Sequence, residues 1–162
     1  MSVRTRAMIL VAAMLSIPAG LTAADDPFVG SWKLNIEKSK YNPGPPPPKG
    51  SVRILTIESV GGGRLKVTIP GVDAQGRPDP HSRVETYDGK PQPTGESPDV
   101  AEAFSAKRVD LYTIELDNYR KGQVISHLTR TVSKDGKTMI LKSKGTTVRG
   151  QPFEDMRFYE KQ

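Results

Sequence analysis

Apolar and polar residues alternate with a period of two along most of this chain. In "FVGSWKLNI" Phe28, Gly30, Trp32, Leu34 and Ile36 share one parity. "SVRILTIES" sets Val52, Ile54 and Thr56 against Arg53, Leu55 and Ile57, and "RLKVTIP" sets Leu65, Val67 and Ile69 against Lys66 and Thr68. Successive side chains of a strand point to opposite faces, so this alternation predicts short, half-buried strands. "SRVETY", "AKRVD", "YTIELDNY", "QVISHLTRTVS", "KTMILKSKGT" and "FEDMRFYEK" continue it. Turn signals separate the runs: Gly61-Gly62-Gly63, Asp88-Gly89, Lys121-Gly122 and Asp135-Gly136, where positive φ is needed. "DAQGRP" and "TVRGQP" both end Gly-x-Pro, a shared turn chemistry rather than a repeat. One helical start is predicted at "SPDVAEAF", with Ser97 as N-cap, Pro98 first and Asp99 in the first turn; it runs a turn or two before "SAKRVD" becomes extended. Pro45 to Pro48 favour polyproline II and exclude strand pairing. The segment reads as a stiff crossover between two strands; a ligand for a proline-recognising domain is the other reading.

About eight to ten strands in hairpin order with little helix mean an all-β sandwich or barrel. A meander whose last strand pairs with its first removes the exposed edges, which tips the reading toward a single antiparallel up-and-down barrel. The N-terminus stands apart from this pattern. Arg4 and Arg6 give a basic start, Met8 to Ile17 is apolar, and Thr22-Ala23-Ala24 offers a small-residue cleavage site. Residues 1–23 therefore read as a secretory signal peptide and residues 24–162 as one domain, periplasmic or secreted. The apolar run is shorter than the roughly 20 residues a membrane span needs, so no stable membrane insertion is expected. With no cysteine, the domain has no disulfide and no thiol to carry a lipid.

Charge changes the picture little. The formal net charge is +6, of which Arg4 and Arg6 supply two. The remaining charges are scattered, and Lys137, Lys142 and Lys144 read as a solvated face, not a stripe for nucleic acid. No nucleophile–base set emerges. The only histidines, His81 and His127, have serine neighbours at Ser82 and Ser126, but adjacent strand residues point to opposite faces. No spacing of ligands predicts a metal. The carboxylates Asp25/Asp26, Asp79 and Glu154/Asp155 do not flank a cleft as an acid–base pair would. Glycines lie in hairpins, not between a strand and a helix, so no phosphate cradle is expected. No catalytic residue and no cofactor is predicted.

The two ends of the chain carry a resemblance. "FVGSWKL" (Phe28–Leu34) resembles the Gly-x-Trp opening of the calycins, the lipocalins and fatty-acid-binding proteins. "MRFYEKQ" (Met156–Gln162) is similar to the Arg-x-Tyr-Glu-Lys ending of the fatty-acid-binding proteins, and "LTRTVSKDGKTMILKSKG" to their penultimate hairpin. The opening also resembles small exported bacterial lipocalin-like proteins. The resemblance implies a calycin-like barrel in which Trp32 plugs the closed end, with Arg157 as its stacking partner. It implies that Arg157 and Tyr159 point inward and hold a ligand carboxylate, which suits the planar fork of arginine. Periodicity alone leaves open whether that pair or Met156 and Phe158 face inward. The family's second ligand-holding arginine precedes an upstream hairpin turn. That place is read here as "LDNYRKG", where Asn118 or Tyr119 stands and Arg120 is only close by. Lys38 to Gly50 is too short and proline-rich for the family's helical lid. The reading is an exported lipocalin-like protein that binds a small apolar or amphipathic molecule, a carboxylate lipid among the choices, with Arg157, Tyr159 and Trp32 as ligand-binding residues. A filled barrel acting as a protein-interaction or inhibitor module of the cell envelope is the other.

Overall fold

The computed structural model of the protein describes residues 26–48, 50–71, 75, 77–94, 101–147 and 149–162. They form ten antiparallel strands: β1 (Gly30–Lys40), β2 (Ile54–Ser59), β3 (Leu65–Ile69), β4 (His81–Glu85), β5 (Gln92–Pro93), β6 (Ala103–Asp110), β7 (Thr113–Arg120), β8 (Gln123–Val132), β9 (Thr138–Thr146) and β10 (Pro152–Lys161). All belong to one sheet, ordered β4-β3-β2-β1-β10-β9-β8-β7-β6-β5. The first strand pairs with the last, in register Trp32↔Lys161, Leu34↔Tyr159 and Asn35↔Phe158. The expected signal peptide and the expected helical start at Ser97 lie outside the described residues. Ala103 and Phe104, at the end of that expected helical turn, are strand.

The sheet curls. Glu85 on β4 reaches Arg130 on β8 at 2.9 Å. Along the ladder these strands are six neighbours apart. In a flat sheet that separation would be about 29 Å at roughly 4.8 Å per strand. Only a sheet rolled back on itself brings them together, so the architecture is an up-and-down barrel. Its seam lies between β4 and β5, where no strand ladder forms among the described residues. One isolated backbone bridge and several side chains span it instead: Asp88, just past β4, bridges to Lys107 of β6, and the Gly89 N–H donates to the Ala106 carbonyl at 2.9 Å. The Gln92 amide bonds to both the N–H and the carbonyl of Thr86 (3.2 and 2.9 Å), and the Arg83 guanidinium lies 4.1 Å from the centre of the Phe104 ring.

The period-two pattern sets which faces turn inward. Phe28, Trp32, Leu34, Leu55, Ile57, Leu65, Val67, Phe104, Ala106, Ile114, Leu116, Val132, Met139, Leu141 and Tyr159 form the buried core. Gly30 has a φ of +142°, which a side chain would strain, and so lets the chain bend into β1 just before the tryptophan. Trp32 is fully buried, with its indole N–H donating to the Phe28 carbonyl at 2.9 Å. The cation over its ring is Lys161, at 5.1 Å, and not Arg157 as the resemblance implied. The register explains the correction: Lys161 is the residue opposite Trp32, whereas Arg157 pairs with Leu141 on the other side of β10.

β1 breaks its pairing between Asn35 and Lys40. The Ser39 hydroxyl heals the gap, donating to the Asn35 carbonyl (2.7 Å) and accepting the Phe158 N–H (3.0 Å). The chain then passes Tyr41 and enters the proline segment, where Ile36, Tyr41, Pro46 and Pro47 line a cavity of about 420 Å³.

Candidate ligand chamber

Register and parity arrange the inner face of β7 to β10 in layers. Nearest Trp32 lie Val132, Met139, Tyr159 and Leu34; next come Ile114, Arg130, Leu141 and Arg157; then Leu116, Leu128, Ser143 and Asp155. The interior thus changes from apolar to polar with distance from the tryptophan. Asn118 and Ser126 follow, joined by a 3.0 Å hydrogen bond.

Two of the three expected ligand residues fall in these layers. Tyr159 is buried in the core, and Arg157 shares its inner face of β10. Met156 and Phe158 face the other way, where the Lys38 ammonium sits 4.9 Å from the Phe158 ring. Burial pushes the Tyr159 hydroxyl above its ordinary pKa, against the pull of the nearby Arg157 charge. Arg157 is half-exposed and donates to Asp155 at 3.2 Å. Trp32, the third, is fully buried in the apolar core beside them.

The strongest polar feature involves none of the residues expected from the sequence. Glu85 is wholly buried and accepts from five donors. Arg130 meets it with both ends of its fork (2.9 and 3.2 Å), Arg83 with two nitrogens (3.2 and 3.1 Å), and the Tyr87 hydroxyl at 3.1 Å. Burial alone would raise the Glu85 carboxyl; the charges and hydrogen bonds of Arg130 and Arg83 outweigh it and hold the carboxyl below its ordinary range. Burial likewise works against the Arg130 charge, and Glu85 more than restores it. Burial pushes the Tyr87 hydroxyl strongly upward, and the Glu85 charge adds to the shift. Two buried polar atoms have no hydrogen-bond partner among the described residues: Arg130 Nε and Tyr41 Oη. Such atoms are uncommon in folded proteins.

Arg130 is a further arginine of the inner face. It lies on β8 just before the turn at Ser133–Lys137, and the "LDNYRKG" segment belongs to the end of β7 and its turn. The parity signal was present, since Arg130 shares its face with Val132 and Leu128 in "HLTRTV". Glu85 was harder to find, because in "SRVETY" the one aliphatic residue, Val84, is the outward one.

The other polar groups stand apart from the chamber. His127 faces outward, with Nδ1 2.6 Å from Asp117, while Ser126 next to it faces in. No group of three or more metal-ligating side chains occurs among the described residues. No helix among them is long and apolar enough to cross a membrane. Along the outside of β8 to β10, Lys40, His127, Lys142 and Lys144 border a groove of about 540 Å³.

No family model and no curated protein sequence matches the chain. Solved structures do. The zebrafish ileal bile acid-binding protein, crystallised with cholic acid, is 12% identical, with a TM-score of 0.56 over 84% of this chain and 99% of that one. The wild-type fluorescent protein UnaG is 16% identical, with a TM-score of 0.53 over 83% of this chain and 97% of that one. The chain therefore has the calycin barrel fold that its two ends imply.

Proposed function

We propose that this protein is an exported carrier that holds one small apolar or amphipathic molecule inside its barrel. The tail lies on the floor made by Trp32, Leu34, Val132 and Met139, and the polar end turns toward Tyr159 and Arg157. The observation that carries the reading is the layering of the inner face, apolar against the tryptophan and polar one to two layers on. An amphipathic ligand matches that gradient, burying its tail at about 25 cal/mol per Å² while a few placed groups fix its head. That a bile acid-binding protein of the same fold was crystallised with cholic acid is in keeping with such an occupant. Export rests on the leader-like residues 1–23. A carboxylate lipid, the finer expectation from the resemblance, requires Arg157 to give up Asp155 or to accept a second carboxylate beside it.

The test is native mass spectrometry of protein purified from its own host, followed by delipidation and titration with medium- and long-chain amphiphiles. A co-purifying small molecule and saturable one-to-one binding are expected. Protein that carries nothing and binds no amphiphile would overturn the reading. That outcome would favour the filled barrel acting on protein partners, for which the Glu85–Arg130 pair, occupying the interior, is the supporting observation.

A further inference from the structure

We propose that Glu85 is a built-in counter-anion, standing where the head of an acidic ligand would sit, and that the chamber therefore selects neutral amphiphiles whose acceptor oxygen bonds to the free Arg130 Nε–H and the Tyr41 hydroxyl. The inference rests on the binding reading above and sharpens it to a ligand class.

Three observations carry it. First, the fork of Arg130 is filled. Its two terminal nitrogens both bond to Glu85, the two-pronged geometry that would otherwise receive a ligand carboxylate. Arg83 and Tyr87 complete the same carboxylate, so its oxygens have no room to yield. Second, Arg157 on the neighbouring inner face also has a resident partner: Asp155 accepts from it through one oxygen and from the Asn42 N–H through the other. Three guanidinium groups thus face two resident carboxylates. The surplus belongs to Arg83, whose charge lies over the Phe104 ring at the seam. An incoming carboxylate at Arg130 would have to lie beside Glu85, whose charge disfavours its ionised form, and the surplus cation, Arg83, already directs two nitrogens at Glu85 and so is not turned toward a newcomer. Third, the groups left over are donors. Arg130 Nε can only donate, and the Tyr41 hydroxyl is buried without a partner. The register places both on the inner face: Lys40 pairs with Met156 and the Asn42 N–H donates to Asp155, so Tyr41 between them lies against the Asp155 layer, one layer from Arg130 and Arg157. An ester, ketone or alcohol oxygen satisfies such donors without bringing charge.

The experiment compares dodecanol with dodecanoate at pH 8 on the delipidated full-length protein, read by displacement of Nile red. Dodecanol is expected to bind at least tenfold more tightly. Glu85→Gln, which keeps the shape and removes the charge, should shrink or reverse that preference by strengthening dodecanoate. Tyr41→Phe should weaken dodecanol about fivefold, the worth of one ordinary hydrogen bond, and leave dodecanoate unchanged. Wild-type protein that binds dodecanoate as tightly as dodecanol would overturn the inference and leave the carrier reading standing. Failure to bind either would overturn the carrier reading and the inference with it. The wild-type comparison decides the matter even where Glu85→Gln fails to fold.

Discussion

At the scale of the residue, Glu85 and Arg130 dominate the interior. A buried ion pair does little for net stability when it is intact, because desolvation offsets the attraction, but losing one partner leaves an uncompensated charge. Glu85→Leu alone should cost about 3–5 kcal/mol in urea unfolding, whereas Glu85→Leu with Arg130→Met should recover most of that loss. Equal losses in the single and double variants would mean that the pair is not an energetic unit. The pH dependence follows from the same group. The folded-state pKa of Glu85 lies below its ordinary value of 4.5, so its contribution is present above that value and is lost as pH falls below it toward the folded pKa. Tyr87 and Tyr159 act in the opposite direction. Their folded pKa values lie above the ordinary 10.0, so their contribution is full below pH 10 and fades as pH rises beyond it. Denaturant midpoints measured across pH should show both limbs in the wild type, and Glu85→Gln should flatten the acid one.

At the scale of the element, the strands were legible because alternation reports burial on one face, and β1 and β3 bury the parities that "FVGSWKLNI" and "RLKVTIP" imply; "SVRILTIES" has two aliphatic residues on each face, and β2 buries Leu55 and Ile57 while Ile54 is exposed. Where the alternation is weak, the face was not legible. β10 carries a large ring on each side, and only pairing with β9, which sets Tyr159 opposite the buried Met139, decides between them. β4 defeats the rule outright. It turns Arg83 and Glu85 inward and leaves Val84 exposed, because Arg130, the partner that makes this tolerable, comes from a strand 45 residues later. Single-strand patterns contain no term for such a partner. Gly145, in the β9 strand of the family-like hairpin, shows the same dependence on a neighbour. A Cβ there would collide with the Ile125 carbonyl and come within 2.6 Å of the Ser126 backbone. Gly145→Ala should therefore cost about 1–3 kcal/mol by forcing β8 and β9 apart. A melting temperature unchanged by the substitution would show that the hairpin has slack at this point.

At the scale of the whole molecule, closure is achieved in two unlike ways. The pairing of β1 with β10 is a backbone ladder reinforced by the Ser39 hydroxyl and by the ion pair of Lys38 with Glu160. The seam between β4 and β5 has only one isolated backbone bridge, Asp88 with Lys107, and otherwise depends on side chains, chiefly Gln92 on Thr86 and Arg83 over Phe104, and β5 has only two residues. A ladder opens only if many backbone bonds break together, whereas side-chain bridges break singly, so the seam belongs to the least stable region of the fold. The seam is also next to Glu85 and Arg83, so a ligand entering there would meet the polar cluster before the apolar floor. Amide hydrogen exchange tests this order. Amides of β5 and of the outer edge of β4 should exchange fastest among the strands, those of β1, β9 and β10 slowest, and Gln92→Ala should speed exchange at Thr86 while leaving the β1–β10 ladder untouched. Protection at the seam equal to that of the first and last strands would mean that the barrel opens elsewhere, and the proline segment over Ile36 and Tyr41 would then be the remaining entrance.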